Sequence, residues 1–194
     1  MQRFLLSAAA ASMLVLSGCV PMNVSSYEER GVDFARFHTY SWATAADFST
    51  GDPRLDNNPF FHEFLRNAVE ARMNALGLRR ASGEDPDLLI RYHAIMSQSF
   101  SVSPPDSNCQ GGHGCEPSAL DFETGTLSLD VVDSATNRTV WRGWSRQSVD
   151  GFIDNQNRME QYVSRSVERM MKGFGAARTV NQTAVTSGLS RKIG

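Results

Sequence analysis

The feature that most constrains the fold is an amphipathic repeat near the C-terminus. Apolar side chains recur there at intervals of three and four residues, the spacing that places them along one face of an α-helix. They are Met159, Tyr162, Val163, Val167, Met170, Met171 and Phe174, with the small Ser166 among them. Asp154 or Asn155 can cap the start of this helix. The pattern predicts a helix that packs its apolar stripe against the core of a folded domain.

Alternation with a period of two predicts strands upstream of this helix. The clearest stretch runs from Thr126 to Val132, and residues 139–149 read as its return strand across a turn at 133–138. A β-hairpin is therefore expected there. Weaker alternation predicts one strand over Asp87 to Gln98 and a first strand over Phe34 to Trp42.

A further helix is predicted to begin at Asn58-Pro59 and to end at Gly77. Residues 44–58 and 99–121 are rich in small and polar side chains and are predicted to be loops. The element order becomes β-α-β-β-β-α. This order predicts an α+β fold, a two-layer sandwich of a four-stranded, mainly antiparallel sheet with two helices on one face.

The N-terminus carries the features of an export signal. Arg3 precedes an apolar run from Phe4 to Val15, about a dozen residues and shorter than the ~20 that a spanning helix needs. Leu16-Ser17-Gly18-Cys19 follows and resembles the lipobox of bacterial lipoproteins. The resemblance implies that residues 1–18 are a signal peptide and that Cys19 carries the membrane lipid, diacylglycerol and palmitate-like acyl chains. A plain secretory signal with an incidental cysteine is the alternative.

Location and charge follow from this interpretation. Val20 rather than Asp follows the cysteine, which by resemblance to the lipoprotein sorting rule favours the outer membrane, with the domain facing the periplasm. Loss of Arg3 with the signal peptide leaves 18 Lys and Arg against 21 Asp and Glu. No basic stripe is present, so nucleic-acid binding has no electrostatic basis. We expect residues 19–33 to be the lipidated N-terminus and a short polar tether, 34–174 a single domain, and 175–194 a polar tail.

Five short stretches, taken in order, carry a family resemblance. They are Phe37-His38-Thr39-Tyr40-Ser41-Trp42, Leu76-Gly77, Asp85-Pro86-Asp87-Leu88-Leu89-Ile90, Gly125-Thr126-Leu127-Ser128-Leu129-Asp130 and Val140-Trp141-Arg142-Gly143. Their order and spacing resemble the landmarks of the domain-of-unknown-function 4136 (DUF4136) lipoproteins. Leu78 departs from the pattern, because the family usually has an aromatic residue there. The resemblance implies an α+β envelope lipoprotein with no established activity, and it supplies no catalytic residues.

Cys109-Gln110-Gly111-Gly112-His113-Gly114-Cys115 is the most conspicuous local motif. Once Cys19 is acylated, Cys109 and Cys115 form an even pair in an oxidising compartment, which favours a disulfide that closes a small loop. A metal or redox site that uses both thiolates and His113 is the alternative. The spacing differs from the two-residue gap of zinc knuckles, so we expect neither a metal nor a cofactor.

Motifs for catalysis are incomplete. His62-Glu63 begins like a zinc-protease helix, but Arg66 stands where the second histidine is required, so His62 is interpreted as a helix-surface residue. No Gly-x-Ser-x-Gly elbow is present. The remaining candidates are His38 and His93, which could meet on neighbouring strands, and Asp130 and Asp133, which flank a strand end. Structural roles are the favoured interpretation for all four.

Trp141 and Trp144 are predicted to lie on opposite faces of one strand. One of them can then pack in the core while the other contacts a partner protein or a glycan. The leading hypothesis is a non-enzymatic, lipid-anchored binding or assembly module with an envelope protein as its partner. The alternatives are a small-ligand or metal binder that uses the Cys109–Cys115 loop and, least favoured, an enzyme that acts on envelope polymers.

Overall fold

A computed structural model describes residues 22–43, 50, 52–83, 85–103 and 118–175. These residues form six strands, three α-helices and one 3-10 turn at Phe34–Arg36. The strands are β1 (Asn23–Glu28), β2 (Thr39–Trp42), β3 (Arg79–Arg80), β4 (Leu88–Ser103), β5 (Ser118–Asp133) and β6 (Arg138–Ser148). The helices are α1 (Pro53–Asp56), α2 (Pro59–Ala75) and α3 (Gln156–Met170). No helix in this described part is long and apolar enough to cross a membrane.

The strands form one mixed sheet in the order β1-β6-β5-β4-β2-β3. Strand β2 pairs in parallel with both β4 and β3, and the other neighbours are antiparallel. The prediction of a four-stranded, mainly antiparallel sheet with two helices is therefore wrong, although the fold is α+β. The parallel pair follows from α2, because a helix between two strands provides the long crossover that parallel neighbours need.

The two additional strands lie where the sequence shows no alternation. Strand β1 falls within the segment predicted to be a tether, and β3 has only two residues. Both are edge strands, which can satisfy backbone hydrogen bonds on one side without burying a row of apolar side chains. Helix α1, a single turn, likewise falls within a predicted loop.

The predicted starts of both helices and the predicted end of α2 are confirmed by their caps, whereas α3 ends at Met170, before the last residue of its predicted stripe. The Asn58 side chain accepts hydrogen bonds from the Phe60 and Phe61 N–H groups, and Pro59 occupies the first turn. Gly77 follows the helix at φ 76°, a conformation that glycine adopts without a Cβ penalty. At α3, the Asn155 side chain accepts from the Arg158 N–H.

Helices α2 and α3 pack on the same face of the sheet. Their apolar stripes meet the inward side chains of β4, β5 and β6 in one continuous core. The largest buried side chain is Trp141, whose ring lies 5.2 Å from that of Phe174 and beside Gly143. The apolar stripes of both helices and the inward rows of β4, β5 and β6 therefore lie on one side of the sheet.

Candidate binding face

The opposite side of the sheet, which we call the open face, is not covered by any helix of the described residues. Because successive side chains on a strand alternate between faces, Arg142, Trp144 and Arg146 of β6 point to this side. Trp141 faces the helices and is 1% exposed. The prediction that the two tryptophans occupy opposite faces is confirmed, and it leaves Trp144 as the candidate contact while Trp141 belongs to the core.

The surroundings of Trp144 keep its indole ring accessible. Its cross-strand neighbours are Ser25 on β1 and Ser128 on β5, both too small to cover the ring. Tyr27 lies one row away, opposite Arg142. The exposed fractions are 38% for Trp144 and 56% for Tyr27, which makes the pair an exposed aromatic patch at the centre of the β1–β6 edge.

Charge on the open face is predominantly positive, although the whole chain has a formal net charge of −2. Arg142 donates two hydrogen bonds to the buried carboxylate of Asp130, from Nε at 2.5 Å and from Nη2 at 2.6 Å. This bidentate contact raises the pKa of the Arg142 guanidinium and holds it flat against the sheet. Arg91 stands opposite Asp130 on the other side, and Arg146 lies two residues beyond Trp144. Arg142 and Arg146 therefore flank Trp144 along β6.

His62 is half-buried and not the surface residue that the sequence predicts. Burial raises the pKa of Tyr92 to about 12, so the phenol stays protonated and donates to His62 Nδ1 at 2.5 Å. The Nε2–H then donates to the Asp56 carbonyl at 3.1 Å. Both ring nitrogens are occupied by neighbours within the fold, so this histidine ties α2 to β4 and to the end of α1.

The other histidines do not form a site. The parallel register of β2 and β4 aligns Tyr40 with Leu88, which places His38 level with position 86. His93 lies seven residues further along β4, so the two rings cannot meet. No group of three His, Cys, Asp or Glu side chains within the described ranges could hold a metal ion. Cys19, Cys109, His113 and Cys115 lie outside those ranges, and their roles stay predictions.

Both candidate carboxylates are engaged in structural contacts. Asp130 binds Arg142 as described, and Asp133 pairs with Arg36 and accepts the backbone N–H groups of Ala135 and Thr136. The structural roles favoured for Asp130 and Asp133 are consistent with these bonds. Each carboxylate has an arginine partner, an arrangement that stabilises a fold rather than a proton transfer.

A cleft of 560 Å³ lies at the β5–β6 turn and is lined in part by Asp87, Asp133 and Arg36. The Asp87 carboxylate accepts the His38 N–H at 2.7 Å and the Thr39 N–H at 2.9 Å. These bonds, the first above all, lower the pKa of Asp87. Asp87 therefore links the start of β4 to the start of β2. This contact gives a structural role to the second aspartate of the Asp85-Pro86-Asp87 landmark.

The sequence indicated Trp144 but missed Tyr27 and the ion pair between Asp130 and Arg142. Tyr27 lies on a polar edge strand that carries no apolar alternation. The ion pair depends on the register of β5 against β6, which the turn at 134–137 sets. An Asp and an Arg on facing strands of a predicted hairpin are the signal that could have located it.

These features define a small α+β protein with one helix-covered and one open sheet face. The profile of DUF4136, a domain of unknown function, matches residues 23–174. The chain belongs to the DUF4136 family, as its sequence landmarks predict. No curated protein matches the sequence at a significant level.

Three solved structures are similar to this chain. A PDZ domain protein from Parabacteroides distasonis is 15% identical with a TM-score of 0.50, and the match covers 81% of this chain and 36% of that one. The chain thus spans about a third of that protein. A DUF4136 protein from Bacteroides thetaiotaomicron is 14% identical with a TM-score of 0.46, covering 76% and 95%. A PelC dodecamer from Paraburkholderia phytofirmans is 9% identical with a TM-score of 0.45, covering 78% and 95%.

Proposed function

We propose that this chain is a lipid-anchored module of the bacterial cell envelope that binds a partner protein on its open face and has no catalytic activity. The observation that carries the proposal is the exposed pair of Trp144 and Tyr27 beside Arg142 and Arg146. Tryptophan, tyrosine and arginine are the residues in which the binding energy of protein interfaces concentrates. A folded domain that exposes them together supports a binding role.

The charge of the open face indicates the chemistry of the partner. Arg142 is neutralised by Asp130, whereas no described residue forms an ion pair with Arg146. A partner that places apolar side chains over the indole and a carboxylate against Arg146 would be complementary to this face. We therefore propose a protein surface that is apolar and acidic.

Anchoring at Cys19 is the second element of the proposal, and the lipobox resemblance supports it. In cells fed a labelled palmitate analogue, the wild-type chain is expected to take up label and to sediment with outer membranes. Cys19→Ser is expected to lose the label and to leave the membrane fraction, because the thioether needs the thiol. Cys109→Ser is the matched control and should stay labelled. Label that persists in Cys19→Ser would refute the anchor.

Binding at the open face can be tested with a photo-cross-linking residue in place of Ser25, the exposed neighbour of Trp144. We expect one discrete cross-linked product in growing cells. Trp144→Ser should reduce its yield about 10-fold or more, since an interface hot spot contributes about 2 kcal/mol or more. A probe at Glu168, exposed on α3, is the control and should give no product. Absence of a product at Ser25, or a yield that does not depend on Trp144, would contradict the proposal.

A further inference from the structure

The exposed large apolar side chains of the described residues fall into two groups. One group lies on the open face and comprises Tyr27, Ile95 and Trp144; the other lies at the far end of the β4–β5 hairpin and comprises Phe100, Val102 and Leu120. Only Phe60, on α2, belongs to neither. Two separate exposed apolar patches on one small domain indicate that each patch is covered by a binding partner when the protein functions.

The second group lies on a two-stranded extension that we call the arm, residues 97–103 and 118–123. Strand β6 pairs with β5 only as far as Thr124, and β2 pairs with β4 only as far as Ile90. Beyond these points β4 and β5 pair with each other through Ser103 and Ser118. A ribbon of two strands is marginally stable in water on its own, so the arm gains stability from any surface that covers it.

The two faces of the arm differ in chemistry. Phe100 and Val102 continue the row that begins with the buried Leu88 and Ile90, and they point to the helix side of the sheet. Asp121 stands directly opposite Phe100 and shares that face. Leu120 points to the other side. The described part of the arm contains no Lys or Arg, and its other acid on this face, Glu123, is paired with Arg54 of α1. Asp121 therefore has no ion pair among the described residues, and it supplies the negative charge of a face that also carries Phe100 and Val102.

The helix-side face of the arm thus has the apolar and acidic composition that we propose for the partner of the open face. We infer that the arm of one copy docks on the open face of a second copy, with Phe100 and Val102 over Trp144 and with Asp121 against Arg146. The inference rests on the proposed function and names its partner. The two surfaces are different parts of the chain, so the contact is head-to-tail and leaves an arm and an open face free at the ends. Assembly therefore continues beyond a dimer, to a ring or a filament.

The test measures the mass of the full-length chain in mild detergent by light scattering. Wild type is expected to form assemblies of several copies that dissociate as salt is raised, because the contact pairs Asp121 with Arg146. Phe100→Ser and Trp144→Ser should each give monomers with unchanged circular dichroism, since both side chains are exposed. An equimolar mixture of the two variants should give dimers, because one retains the open face and the other retains the arm.

Two further variants distinguish this specific contact from nonspecific hydrophobic association. Leu120→Ser removes an equally exposed side chain from the opposite face of the arm, and it should leave the assembly intact. Asp121→Arg should give monomers, and adding Arg146→Asp in the same chain should restore assembly. A monomeric wild type, a monomeric mixture, or a loss of assembly with Leu120→Ser but not with Phe100→Ser would overturn the inference.

The outcome at Ser25 distinguishes this inference from the proposed function. A cross-link from Ser25 to the arm of a second copy supports both. A cross-link only to a different protein, together with a monomeric chain, overturns self-docking and leaves the open face as a binding surface. No cross-link at all removes both.

Discussion

Gly143→Ala is expected to lower the free energy of unfolding by about 2–3 kcal/mol, a large change for the addition of one methyl group. A Cβ atom at this position would lie 2.8 Å from Cζ2 of Trp141, still closer to its Cη2, and 3.1 Å from Cβ of Met170. The indole ring cannot move aside, because it is buried and packs on Phe174. The strand must therefore move away from α3, which opens the core around Trp141.

Gly173→Ala provides the matched control for this prediction. It adds the same methyl group to a glycine that has no neighbour within 4 Å of the new atom and no positive φ. We expect its unfolding free energy to stay within about 0.5 kcal/mol of wild type. Urea unfolding monitored by tryptophan fluorescence gives both values. Equal midpoints for the two variants would show that Trp141 does not fill the space above Gly143.

Elements with strong local signals could be predicted from the sequence. Helix α3 has an apolar stripe and an Asn cap, and α2 has Asn58 and Pro59 at its start and Gly77 at its end. Such signals come from residues close together in the chain, so they can be recognised without knowledge of the tertiary fold. The β5–β6 hairpin is equally local. Residues 134–137 form its turn, and Asn137 adopts φ 53°.

Sheet topology was harder to predict from the sequence, because strands pair with residues that are far away in the chain. Strand β1 pairs with β6, which lies more than a hundred residues later in the chain. The polar sequence of β1 contains no pattern that indicates this pairing. Residues 99–103 and 118–121 of the arm were wrongly predicted to be part of a loop, because their serines outweighed the period-two placement of Phe100 and Val102. The parallel pairing of β2 and β4 could have been predicted, since α2 between them is the usual connection for parallel strands.

For the candidate site as well, local features could be predicted from the sequence, whereas features that depend on strand register could not. Trp144 was indicated because its separation from Trp141 by three positions puts the two side chains on opposite faces of a strand. Its small neighbours Ser25 and Ser128 come from two different strands, so their effect on the indole ring emerges only from the register. The local pattern thus identified Trp144, whereas the surface around it could be recognised only from the pairing of the strands.

Asp133→Ala is the second substitution with a large expected effect, about 2–3 kcal/mol lower free energy of unfolding. Asp133 is 3% exposed, and its Oδ1 accepts the N–H groups of Ala135 at 2.9 Å and Thr136 at 3.2 Å. Alanine would leave both donors of the β5–β6 turn without their acceptor. The turn sets the register of the two strands, so its loss also loosens the contact of Asp130 with Arg142.

Comparison of three variants identifies which contact of Asp133 provides this stability. Arg36 is more than half exposed, so Arg36→Ala should cost at most about 1 kcal/mol although it removes the ion pair. Asp133→Asn keeps an oxygen acceptor for the turn and should fall between Arg36→Ala and Asp133→Ala. Urea unfolding ranks the three, and amide hydrogen exchange at Ala135 and Thr136 should accelerate most in Asp133→Ala. If Arg36→Ala costs as much as Asp133→Ala, the stability comes from the ion pair and the turn is secondary. The expected order instead assigns it to the two turn hydrogen bonds, because they are made to a buried carboxylate whereas the exposed guanidinium of Arg36 adds little.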